Sequence, residues 1–169
     1  MNVAAVTSIF IPSSVVHIGS NAFAGSGLTS VTLPGTVATI GNAAFQQIAS
    51  LTNVAIGEGI TSLPSQAFYN NFSASILEIT LPSTLTSIGD AAFFGAGITS
   101  LTIPNSVTSI GDQAFGFTSD LTTFNFAPGS NLETIGPNAF SYSGFTSLTI
   151  PASVTAISDQ AFMNQSDLS

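Results

Sequence analysis

The stretch ITSLTIPNSVTSIGDQAF, residues 98–115, decides the fold, because the chain repeats it. Copies begin at Val6, Leu28, Leu51, Ile76, Ile98, Leu121 and Phe145, a spacing of 22 to 25 residues over seven copies. A fixed period of about 20 to 50 residues is the signature of a solenoid, in which each unit buries its apolar side chains against the next. Within a copy, L-x-x-L-x-L-P ends in period-two alternation, which predicts one short parallel strand per turn. In the second copy this points Leu28, Val31 and Leu33 inward and Ser30 and Thr32 outward. Pro34 then ends the strand, since proline has no N–H to give to a ladder.

The following V-x-x-I-G returns Val37 and Ile40 to the core, and Gly41 serves a tight corner. The next position holds Ser20, Asn42, Ser65, Asp90, Asp112, Pro137 and Asp159. Six of these seven residues are types preferred at helix N-caps, so a short helical turn is expected through x-A-F. That turn sets Phe23, Phe45, Phe68, Phe93, Phe115, Phe140 and Phe162 in one stacked aromatic column. Length variation falls in the connectors after this Phe, from AGSG at 24–27 to YNNFSAS at 69–75, as loops on one edge allow.

The pattern resembles the BspA-like, bacterial-surface type of leucine-rich repeat, L-x-x-I-x-L-P-x-x-L-x-x-I-G-x-x-A-F, from Val6 to Phe162. The resemblance implies an α/β solenoid of seven turns and a non-enzymatic surface protein that adheres to host or matrix proteins or to other cells. It implies no catalytic residue, metal or cofactor. Many family units carry a cysteine shortly after A-F; three residues beyond the Phe this chain has Ser26, Ile48, Ala96, Thr118 and Ser143 instead.

Composition narrows the partners. Among 169 residues there is no Lys, Arg or Cys, and the formal net charge is -8. Binding to nucleic acid or to an anionic membrane surface needs cationic contacts, so neither is an expected partner. Without cysteine there is neither a disulfide frame nor a thiolate metal site. No run reaches the ~20 apolar residues of a membrane-spanning helix, and the opening MNVAAVTSIFIP lacks the positive charge of a secretory leader. One repeat domain over residues 1–169 is expected, with neither end capped by a polar unit.

Candidate sites are few. Asp90 and Asp112 share a column and suggest an acid pair or a calcium ligand set, but Ser and Asn at the same position elsewhere favour a capping role. His17, the one histidine, falls at an outward slot equivalent to Thr39, Ser87 and Ser109. No second His, Lys or Cys is present to activate a serine, so an enzyme is not expected. The outward strand row is the candidate binding face: Ser30, Thr32, Glu78, Thr80, Ser100, Thr102, Ser147 and Thr149, its run of Ser and Thr interrupted at Phe10, Ala55, Glu78 and Asn125. Asn71 and Asn164 sit in N-x-S sequons and are candidate glycosylation acceptors. The expected role is an extracellular or cell-surface adhesion scaffold for a protein or glycan partner. The alternative is a subunit that stacks head to tail into filaments, and ice binding through Ser/Thr rows ranks below both.

Overall fold

The computed structural model describes residues 6–71 and 78–165. Five coils contribute two short strands each rather than the one expected. The first row comprises β2 (Ser30–Leu33), β4 (Asn53–Ile56), β6 (Glu78–Thr80), β8 (Ser100–Ile103) and β10 (Thr123–Phe126). The second row comprises β1 (His17–Ile18), β3 (Thr39–Ile40), β5 (Ser62–Leu63), β7 (Ser87–Ile88), β9 (Ser109–Ile110), β11 (Thr134–Ile135) and β12 (Ala156–Ile157). The second row comes from V-x-x-I-G, whose β-branched residues suit a pleated, half-buried surface. Five coils carry both strands and the first and last carry one each, so the described solenoid has about six turns rather than seven.

All pairing is parallel and in register, like on like: Val31 faces Val54, Leu101 faces Phe124, and Ile88 faces Ile110. Alternation holds as the sequence requires, with Val31 and Leu33 buried and Ser30 and Thr32 exposed. The aromatic column stacks through all seven copies at centroid spacings of 5.1 to 5.6 Å and interplanar angles of at most 15°.

The ladders of the first row are shortened or open where the following coil ends in proline. In a closed pair, the N–H just past one strand donates to the last carbonyl of the strand before it. Gly57 donates to Leu33 O at 2.8 Å and Ala127 to Ile103 O at 2.9 Å, and these coils pair over four residues. Where that position is proline the donor is missing. With Pro82 the β4–β6 pairing stops at Thr80. With Pro34 only a bridge between Ser8 and Ser30 remains, and with Pro104 and Pro151 the strand pairing is absent. The second row obeys the same rule. Glycine amides at 41, 89, 111 and 136 and the Ser158 amide donate across it, and its single break, between β3 and β5, falls at Pro64.

No helix occurs among the described residues, which corrects the expected helical turn and its N-caps. The residues two before and two after each column Phe have φ between +51° and +64°, for example Ala43 and Gln47 around Phe45. Backbone amides therefore alternate between a turn bond within the coil and a bond to the next coil: Ala44's neighbour Phe45 donates to Ala67 O, and Gln46 donates back to Ala43 O. A helix would direct every N–H inside its own segment; here half of them hold the coils together.

The corner glycine also has another reason than the one expected. Gly41 has no positive φ, but a Cβ there would stand 2.3 Å from the amide nitrogen of Ser20. Its smallness lets one coil's backbone lie against the next.

Candidate functional site

The outward face of the first row is built from side chains that alternation drives out of the core. Ser30, Thr32, Thr80, Ser100, Thr102, Ser147 and Thr149 are exposed, as are Asn53, Thr123 and Asn125. Glu78 lies in β6 opposite Asn53, and its side chain is outside the described residues. The face is uncharged over its described side chains and carries donors and acceptors together.

Not every hydroxyl is available. One residue upstream, Thr29, Thr52 and Thr122 donate to the carbonyls of Thr7, Thr29 and Thr99 in the preceding coil, at 3.1, 3.0 and 3.4 Å. In the second row Thr86, Thr108 and Thr155 do the same to Thr61, Thr86 and Glu133 at 2.8, 3.2 and 3.2 Å. These hydroxyls satisfy backbone and are part of the scaffold. Ser30, Thr32, Thr80, Ser100, Thr102, Ser147 and Thr149 make no side-chain hydrogen bond within the chain, so theirs are free for a ligand.

The missing ladders turn this face into grooves. One of about 640 Å³ lies between β10 and residues 147–153, beside Pro151. Another of about 530 Å³ lies between β6 and β8, beside Pro104, and a third of about 460 Å³ lies where Pro34 faces Ser8–Ser13. At the first groove the inward residues Phe126, Leu148 and Ile150 are half-buried, whereas Leu33 and Ile103, in strands beside the other two, are fully buried. At the third groove Phe10, on the outward row, is 86% exposed.

Other candidates fall elsewhere. Asn71 is 0% exposed: its Oδ1 accepts the Ile48 N–H at 2.7 Å and its Nδ2 donates to Phe45 O at 2.9 Å. A glycan on that nitrogen has no room and would break a buried bond, so the glycosylation assignment of Asn71 is corrected. Asn164 is exposed.

The slot three residues past the column Phe is interior in this chain, and polar at Asn71, Thr118 and Ser143. Thr118 and Ser143 donate to Phe115 O at 2.7 and 2.9 Å, and Gln165 reaches Phe140 O. Asn71 shares this offset with buried Ile48 and Ala96, a signal already present in the repeat. His17 is exposed, with Nδ1 against the Thr39 hydroxyl.

Asp90 and Asp112 do not converge on a ligand. Asp90 Oδ1 accepts the Asp112 N–H at 3.0 Å, so the carboxylate ties coils together rather than capping a helix. No group of three His, Asp or Glu side chains converges among the described residues.

One surface feature went unread in the sequence. Tyr69, Phe94, Phe117 and Tyr142 form an outer aromatic stack at 5.2, 5.1 and 4.5 Å, with Phe117 and Tyr142 48% and 41% exposed. Its signal was an aromatic one or two residues after the column Phe in four successive copies.

Comparison with known proteins agrees with this geometry. The family model for the BspA type leucine rich repeat region, in six copies, matches residues 1–93 and 71–169. The chain belongs to the BspA-type leucine-rich repeat family. Two similar solved structures are bacterial. A leucine-rich repeat protein from Bacteroides ovatus is 32% identical with a TM-score of 0.77, covering 88% of this chain and 38% of that one. A leucine rich cell surface protein from Faecalibacterium prausnitzii is also 32% identical, with a TM-score of 0.76, covering 92% and 42%. The pneumococcal vaccine antigen PcpA, 23% identical over 88% of this chain and 33% of its own, shares the fold at a TM-score of 0.63. The chain thus spans about two fifths of the first two structures. No curated protein matches.

Proposed function

We propose that this chain is a non-enzymatic recognition scaffold at the cell surface, holding a protein or glycan partner across the outward face of its first strand row. The single observation that carries the reading is the contrast between hydroxyls spent on the backbone, such as Thr29 and Thr52, and the unspent row at Thr32, Thr80 and Thr102. Surface location is supported by the family and by the neighbour described as a cell surface protein. An array of matrix proteins and glycans probed with the chain tests it. Binding to a partner is expected, and it is lost when Thr32, Thr80 and Thr102 are each replaced by Tyr. Binding that survives all three replacements moves the site off this face.

A second reading, head-to-tail association, has as its support the parallel, in-register stacking by which one coil adds to the next. Sedimentation across rising concentration should then show growing species, and a constant monomer contradicts it. Ice binding has less support, because the first row is broken at its prolines and offers no continuous lattice of hydroxyls.

A further inference from the structure

We propose that the groove between β10 and residues 147–153 is a binding site for a neutral oligosaccharide. The proposal rests on the reading of the first row as a recognition face and names the chemistry taken by one part of it.

Three observations converge on this groove. First, it lies where a ladder donor is missing. Pro151 has no N–H to donate to the Phe126 carbonyl, whereas Ala127, one coil earlier, donates to Ile103 O at 2.9 Å. The segment 147–150 forms no strand against β10, and a volume of about 640 Å³ opens on the outward face.

Second, its lining has the two components a sugar ring requires. Phe126, half-buried and held edge-on by Phe124 at a centroid distance of 5.3 Å, provides an apolar surface for ring C–H groups. Around it the Asn125 amide and the Ser147 and Thr149 hydroxyls are exposed and unpartnered, supplying donors and acceptors at once. An apolar floor with a few converging polar groups is the usual make-up of a small-ligand site. Opposite, the Ser153 hydroxyl is spent on Ser130 O at 2.9 Å, which fixes the far wall.

Third, charge selects against the alternatives. With no Lys or Arg in the sequence and a formal net charge of -8, sialylated or sulfated glycans, phosphates and acidic peptides meet only repulsion. Among glycans, the one favoured by hydroxyl and amide groups on such a surface is neutral.

The test uses the full chain labelled with nitrogen-15 and titrated with maltotriose, cellotriose and tri-N-acetylchitotriose, with 3′-sialyllactose and a heparin tetrasaccharide as anionic counterparts. At least one neutral sugar should shift the amide signals of Asn125, Phe126, Ser147 and Thr149 saturably, and neither anionic probe should. Asn125→Ala, at an exposed site, should weaken that binding about tenfold, as for one hydrogen bond lost. Pro151→Ala, which restores the ladder donor, should narrow the groove and abolish it.

The proposal is overturned if no neutral sugar moves these signals, or if one binds Asn125→Ala and Pro151→Ala as well as it binds the parent. A silent sugar panel alongside a protein partner that depends on Thr80 and Thr102 sinks the oligosaccharide site and leaves the recognition face standing. Silence in both sinks both.

Discussion

Asp90 Oδ1 accepts the backbone N–H of Asp112 at 3.0 Å, one coil further along, while Asp112 Oδ1 is buried without a partner. The difference lies in the next residue of the column. Asp112 is followed by Pro137, which has no N–H to offer. Replacing Pro137 by Ser, the residue found at this position in two other copies, should give Asp112 its donor. A double-mutant cycle with Asp112→Ala, read by urea denaturation, should return a favourable coupling of about 1 kcal/mol. Zero coupling means the carboxylate does not reach across the coils.

The aromatic column is the largest apolar element of the core. Phe93 is fully buried between Phe68 and Phe115 at 5.4 and 5.2 Å. Phe93→Ala should destabilise by about 3–5 kcal/mol, measured by the denaturation midpoint. Phe117→Ala, in the exposed outer stack, should cost well under half of that.

Asn71 should behave as a core residue. Asn71→Asp places a charge against the Phe45 carbonyl in a buried slot and should destabilise by at least about 3 kcal/mol. Asn71→Ala should cost less, about 1–3 kcal/mol, because the Ile48 N–H can turn to Phe45 O as the Ala96 N–H does to Phe93 O at 2.9 Å. Thermal unfolding of the two variants checks the order, and an innocuous Asp contradicts the burial.

Acid should release one tie between coils. Glu58 accepts the Ser83 N–H at 3.0 Å through Oε1 and the Ser83 hydroxyl at 2.9 Å through Oε2. The backbone hydrogen bond from Ser83 is the main cause holding its carboxyl below the ordinary value, followed by the Ser83 hydroxyl. A depressed carboxylate stabilises the fold while ionised. The gain is full above the unfolded-state value and is lost as pH falls through the lower, folded-state one. The stability difference between the parent and Glu58→Gln should therefore be present at neutral pH and shrink toward zero at strongly acid pH. A difference that does not change with pH contradicts it.

Much of the fold was legible in the sequence because stacking makes each position's role repeat. Leu28, Val31, Leu33 and Phe45 could be placed by asking what recurs. The turn after I-G was not, because x-A-F carries local helix signals, while its left-handed residues, such as Ala43 and Phe117, are fixed by bonds to neighbouring coils that no single copy contains. The second strand was missed because two residues are too few to show alternation. For the site, the outward row was readable from period two, but which hydroxyls are spent was not. Thr29 and Thr32 differ only in the carbonyl each can reach. Pro34, Pro104 and Pro151 mark the grooves, but Pro82 at the same repeat position does not, so proline alone did not locate them.

Amide-resolved hydrogen exchange on the unmodified chain tests the central claim, that the first row is open where the coils end in Pro104 and Pro151. Ala55 and Asn125 lie in ladders that close, whereas Thr102 and Thr149 occupy the same strand position in coils that end in Pro104 and Pro151. The Ala55 and Asn125 amides should exchange slowly, near the rate of global unfolding, and those of Thr102 and Thr149 orders of magnitude faster. Uniform protection at all four positions would mean the row is continuous, and with it the grooves and the proposed ligand site would be gone.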